Sequence, residues 1–81
     1  MKIAIASEGK TPESRIFDFA GRAPFYLVFE DKELVEVIEN PFLNQGGVGF
    51  KIPAFLEEKN IGLFVAGNFG GNMERNLKEK I

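Results

Sequence analysis

Few side chains in this chain could do chemistry, and the absent ones decide most. Among 81 residues there is no cysteine and no histidine. That removes thiolate metal sites, disulfides, thiol nucleophiles and the commonest general base. Two methionines, Met1 and Met73, are the only sulfur donors, and a thioether is a weak metal ligand. What remains is suited to holding an anion. Arg22 in FAGRAP offers a guanidinium that forms forked bonds. The run Gly67-Asn68-Phe69-Gly70-Gly71-Asn72 precedes a helical pattern, and free backbone N–H groups at such a turn make an anion nest. Gly46-Gly47 and Gly49 enter another helical pattern and offer a second nest. The Gly67–Asn72 run lacks the lysine of a P-loop and the spacing of a dinucleotide fingerprint. The structural alternative is that the glycines only permit tight turns or positive φ. Arg22 has its own alternative, as a surface residue or a donor pinning its loop, and the helical spacing of Met73 favours packing over ligation.

Hydrolytic readings are excluded by composition and placement. Two-metal nuclease chemistry needs carboxylates on strand ends. The apolar runs Lys2–Ala6 and Ile61–Ala66 carry none, and Glu8 and Asp18 fall in loops. No serine, histidine and acid set exists. A non-enzymatic protein is therefore expected. Ten basic and twelve acidic residues are interspersed, for a net charge of −2, so no electrostatic footprint for nucleic acid is present. No apolar run reaches the roughly 20 residues that span a bilayer. The apolar stretch in MKIAIASEGK ends too early for a signal peptide, and a cytoplasmic location is expected.

The elements that position these residues follow from periodicity. Lys2–Ala6 and Ile61–Ala66 are compact apolar runs, as in strands buried on both faces. Phe25 to Glu30 and Leu34 to Glu39 alternate as strands, joined so tightly by Asp31-Lys32-Glu33 that they must be antiparallel. Asn40-Pro41 closes the hairpin. Val48, Ile52, Phe55 and Leu56 share one helical face. Pro53 argues for a start near Phe50–Ile52, since proline is comfortable only in the first turn, and Asn60 can cap the end. Asn72 is a good N-cap for a last helix with Met73, Leu77 and Ile81 on one face. The order is β-ββ-α-β-α, one α/β domain over residues 1–81 with a mixed sheet. The two apolar runs should lie parallel, and ligands in such sheets sit beyond the carboxyl ends of parallel strands. That places Ser7 beside Gly67 and Asn68. Nine phenylalanines are a heavy load for this length. Most must be core, but Phe42, Phe50 and Phe69 adjoin the glycine loops and could line a pocket or a subunit contact.

Five segments occur together in order: MKIAIAS, FAGRAPFY, VIENP, GGVG and VAGNFGGN. In them the chain resembles the dinitrogenase iron-molybdenum cofactor biosynthesis family, the nitrogenase cofactor carriers and the C-terminal domain of the cofactor-assembly protein. The resemblance implies a ribonuclease-H-like three-layer fold, shortened here by the family's last strand and helix. It also implies transient binding of an iron-sulfur or iron-molybdenum type cluster and its exchange with donor or acceptor proteins. Ser7, Arg22, Gly46, Gly47, Gly67, Asn68, Gly70, Gly71 and Asn72 are the cradle this reading selects. With the last strand missing, Ile61–Ala66 becomes an uncovered edge, which predicts a homodimer through that edge. Two alternatives stay open: an interaction or regulatory domain without a cofactor, and a binder of a small anionic metabolite.

Overall fold

A computed structural model describes residues 1–80. Six elements follow in the expected order: β1 Lys2–Ser7, β2 Phe25–Glu30, β3 Glu33–Glu39, α1 Val48–Glu58, β4 Ile61–Val65 and α2 Gly71–Lys80. The sheet order is β3-β2-β1-β4. β1 runs antiparallel to β2 and parallel to β4, as a helical crossover requires. The β2–β3 turn is tight because both central residues, Asp31 (φ 51°) and Lys32 (φ 68°), are left-handed. That geometry matches the twist of the strands it joins.

One face of the sheet carries the core. Ala4 and Ala6 of β1 stand beside Val28 and Tyr26 of β2 and Phe64 of β4, under Ile52 and Leu56 of α1 and Met73 of α2. Small residues on β1 let both helices approach. A register shift at Gly62 keeps Ile61 and Phe64 on that same face although three residues separate them. Edge-to-face rings extend the core, Tyr26 to Phe64 at 5.7 Å and Phe64 to Phe69 at 5.6 Å. The described residues thus supply two of the three layers that the resemblance implies. Among them, no helix covers the opposite face.

Two helix boundaries differ from expectation. α1 begins at Val48, not near Phe50–Ile52. Gly47, left-handed at φ 76°, precedes it, and its carbonyl accepts the N–H groups of Phe50 and Lys51. Pro53 then sits inside the helix. Its missing N–H leaves the Gly49 carbonyl without its helical donor, and the Asn76 amide of α2 supplies one at 3.2 Å. α2 begins at Gly71, with Glu74 N–H on the Gly70 carbonyl, so Asn72 lies in the first turn instead of capping it. Asn60 does end α1 as expected, left-handed at φ 61° with its N–H on the Glu57 carbonyl. Met73 is buried and Leu77 half-buried on the expected face, while Ile81 lies outside the described residues.

Candidate functional site

The cleft lies where the N-termini of α1 and α2 meet the loop before β2. Its cavity of about 370 Å³ is lined from Phe19 to Arg22, from Gly47 to Phe50, by Asn68, and from Gly70 to Met73. That size falls within the roughly 300–1,000 Å³ of small-molecule sites.

Two glycines let the walls come together. A Cβ on Gly49 would stand 2.9 Å from Asn72 Cβ, and one on Gly21 would stand 2.7 Å from a Val48 methyl. Both positions need glycine because the helix starts and the loop touch there.

The loop carrying Arg22 is held from below. Tyr26 donates its hydroxyl to the Ala20 carbonyl at 2.6 Å. The Asn40 amide donates to the carbonyls of Ala23 (2.8 Å) and Gly21 (3.3 Å) and to the Tyr26 oxygen (3.2 Å). Its own oxygen accepts the Phe42 N–H at 2.8 Å. Tyr26 is fully buried, Asn40 is 5 % exposed, and burial pushes the Tyr26 phenol above its ordinary range. With the loop's carbonyls drawn inward, Arg22 projects from the outer side. Its side chain is exposed and makes no hydrogen bond or ion pair among the described residues.

The backbone donors of the cleft are open as well. The N–H groups of Gly21, Val48, Gly49, Gly70, Gly71 and Asn72 have no acceptor among the described residues. Arg22 is the one charged residue in the described lining. A wall of N–H donors, two helix starts and one guanidinium favour negative charge.

Of the residues expected in the cradle, Arg22, Gly47, Asn68, Gly70, Gly71 and Asn72 line this cavity. Gly46 is adjacent, with open space above it. Ser7 and Gly67 do not line it. Beyond the Ile5–Val65 pair β1 and β4 part, because Phe17 lies between them: its N–H binds the Ala6 carbonyl at 2.9 Å and its carbonyl accepts Gly67 N–H at 3.0 Å. Buried Ser7 spends its hydroxyl on the backbone of Gly9, donating at 2.8 Å and accepting at 3.2 Å. A Cβ on Gly67 would meet the Asp18 backbone at 2.9 Å, so that glycine serves packing. Of the three phenylalanines singled out, only Phe50 lines the cleft, 60 % exposed. Phe19, 58 % exposed, does so too and was not anticipated. Phe42 packs on Phe55 and Phe69 on Phe64. Asn40, Tyr26 and Gly21 are the important residues that sequence reasoning missed.

The family model described as dinitrogenase iron-molybdenum cofactor matches the chain over residues 1–81. The chain belongs to this family. An NMR structure of a Thermotoga protein, described as a NifB candidate of the DUF35 family, superimposes at TM-score 0.78 with 30% identity, covering 98% of this chain and 69% of that one. The crystal structure of PH0822 superimposes at TM-score 0.77 with 21% identity, covering 98% and 71%. That second likeness is one of fold. A search of curated proteins finds no match.

For a member of the dinitrogenase cofactor family, the donor set of the cleft is the test. Among the described residues no three His, Cys, Asp or Glu side chains converge on a metal-sized site. Met73 is 3 % exposed, and its methyl packs 3.0 Å from where a Gly21 Cβ would stand. These residues do not fit direct ligation of iron. They fit an anion that brings its own ligands. Among the described residues, no helix is long and apolar enough to cross a membrane.

Proposed function

We propose that this protein is a non-catalytic cytoplasmic carrier whose cleft holds an anionic iron-sulfur or iron-molybdenum type cofactor as cargo, taken from one protein and passed to another. The family supports the cargo class, and the chemistry of the cleft supports the mode of binding.

One observation carries the reading. Gly70 and Gly71 have no conformational reason to be glycine, since neither has a positive φ, and no atom lies within 4 Å of where a Cβ would stand on either. The fold leaves that space empty beside a row of unpartnered N–H groups. A cluster bearing its own sulfides and net negative charge is recognised by such donors without a covalent bond to the protein. Arg22, exposed at the mouth, adds a charge-assisted bond worth about 1.5–3 kcal/mol. Holding by hydrogen bonds alone leaves the cargo exchangeable, which suits delivery.

The test is anaerobic incubation with an iron-sulfur cofactor donor, followed by gel filtration, iron analysis and visible absorption. Stoichiometric iron that co-elutes with the chain is expected, and Arg22→Ala should weaken retention roughly 10- to 150-fold. A colourless, iron-free protein overturns the reading.

A further inference from the structure

We infer that Phe19 and Phe50 decide which anion the cleft accepts: their rings cover the cargo and favour a large, weakly hydrated, sulfide-faced cluster over a small oxyanion. The inference rests on the cargo reading and adds its selectivity. Of nine phenylalanines, seven are buried or half-buried, and the two left exposed both line this cavity. Single exposed apolar residues are ordinary on a protein surface, but two rings gathered at one cleft mark a contact site. They come from separate elements, Phe19 from the loop before β2 and Phe50 from the first turn of α1.

The backbone fixes both positions without using the rings. Phe19 bridges to Asn68 in parallel, the Ala20 N–H binds the Asn68 carbonyl at 3.0 Å, and the Phe19 carbonyl accepts the Arg22 N–H at 3.2 Å. Phe50 donates its N–H to the Gly47 carbonyl at 3.0 Å. Among the described residues, neither ring stacks on another ring or lies under a cation, whereas Phe42 pairs with Phe55 and Phe64 with Phe69.

Hydration makes such rings selective. A phosphate or sulfate holds its water tightly, and covering it with hydrocarbon leaves that hydration unreplaced. A cluster spreads its charge over many sulfides, and contact between sulfur and an aromatic ring is itself favourable. Excluding water also strengthens the bonds from Arg22 and the open N–H groups, since polar attraction grows as the local dielectric falls. The donors alone would take either anion. The rings tell them apart.

The test loads the whole chain anaerobically with a synthetic thiolate-capped iron-sulfur cluster, with and without inorganic phosphate as competitor, and follows iron through gel filtration. Roughly 100 Å² of each ring is left to cover, so Phe19→Ala and Phe50→Ala should each weaken retention about 5- to 50-fold. Phe50→Leu should keep most of it, because apolar cover survives. Phosphate should compete better in the alanine variants than in the wild type, whereas Arg22→Ala should weaken both anions. Urea midpoints of the alanine variants should not fall. Wild-type protein that holds iron while both alanine variants hold it equally well overturns this inference alone. A wild type that takes no iron overturns the cargo reading with it. Alanine variants whose midpoints drop as for a buried ring also overturn the inference, because the rings would then belong to a packed contact.

Discussion

Replacing Asn40 by aspartate keeps the shape of the side chain and removes its N–H donors. Two N–H groups disappear that are shared among three acceptors, Ala23 O at 2.8 Å, Tyr26 Oη at 3.2 Å and Gly21 O at 3.3 Å. A carboxylate oxygen then faces two carbonyls in a place only 5 % exposed. Each lost neutral bond counts about 1 kcal/mol, and the unpaired buried charge adds to it, for a deficit of about 3–5 kcal/mol at pH 7. At about 0.05–0.15 kcal/mol per residue, a chain of this length holds about 4–12 kcal/mol in all, so the variant should be close to its limit. Acid should rescue it in part. Burial and facing carbonyls raise the folded-state pKa of the new carboxyl above its unfolded value. The penalty is therefore full at neutral pH and fades as pH falls through the folded-state pKa, because the protonated group can again donate to Ala23. The deficit should shrink to about 1–2 kcal/mol near pH 4. Urea unfolding at both pH values, followed by far-ultraviolet circular dichroism, measures it. A loss under about 1 kcal/mol at pH 7, or one that grows on acidification, would refute the claim that this amide holds the loop.

Tyr26 should set the alkaline limit of stability. Its folded-state pKa is raised above the ordinary 10.0 by burial, so this contribution is whole below pH 10 and is lost as pH rises further. It is the chain's only tyrosine and tryptophan is absent, so phenolate absorbance should appear together with unfolding; phenolate in a still-folded protein would contradict this. Gly49→Ala, which drives a methyl into Asn72, should cost about 1–3 kcal/mol. Gly71→Ala, facing open space, should be neutral or stabilise by up to about 1 kcal/mol in urea melts, yet reduce iron retention. Lys32→Gly should raise stability by about 0.5–1 kcal/mol, since a left-handed lysine is strained; no gain in the urea midpoint would count against that strain.

The strands and their directions were legible because alternation and turn length are local signals. Phe25 to Glu30 needs no distant partner to be recognised. What escaped depends on contacts far apart in sequence. Asn40 reads locally as half of a turn-forming Asn-Pro pair, whereas its amide works on residues 14 to 19 positions earlier. Pro53 reads as a helix breaker until Asn76, 27 residues from Gly49, satisfies the carbonyl it strands. Ser7 reads as a site residue only from its place at a strand end, and nothing in its neighbourhood foretells that Phe17 occupies the crevice. The glycine runs were visible as a site, but their separate roles were not. Gly49 and Gly67 yield to backbone crowding, Gly47 to positive φ, and Gly70 and Gly71 to neither.

The Phe17 backbone also bears on kinetics. It hydrogen-bonds to Ala6 at one end and to Gly67 at the other, so it can settle only after β1 and β4 have found each other across the α1 crossover. Contacts that close so long a loop form late and slow folding. Because they tie the loop to backbone on both sides, they open together with the strands. The amides of Phe17, Ala20 and Gly67 should exchange with solvent deuterium as slowly as the central strands, not at the rate of a surface loop. One wall of the cleft then belongs to the same cooperative unit as the sheet, and occupancy of the cleft would register as slower exchange in β1 and β4.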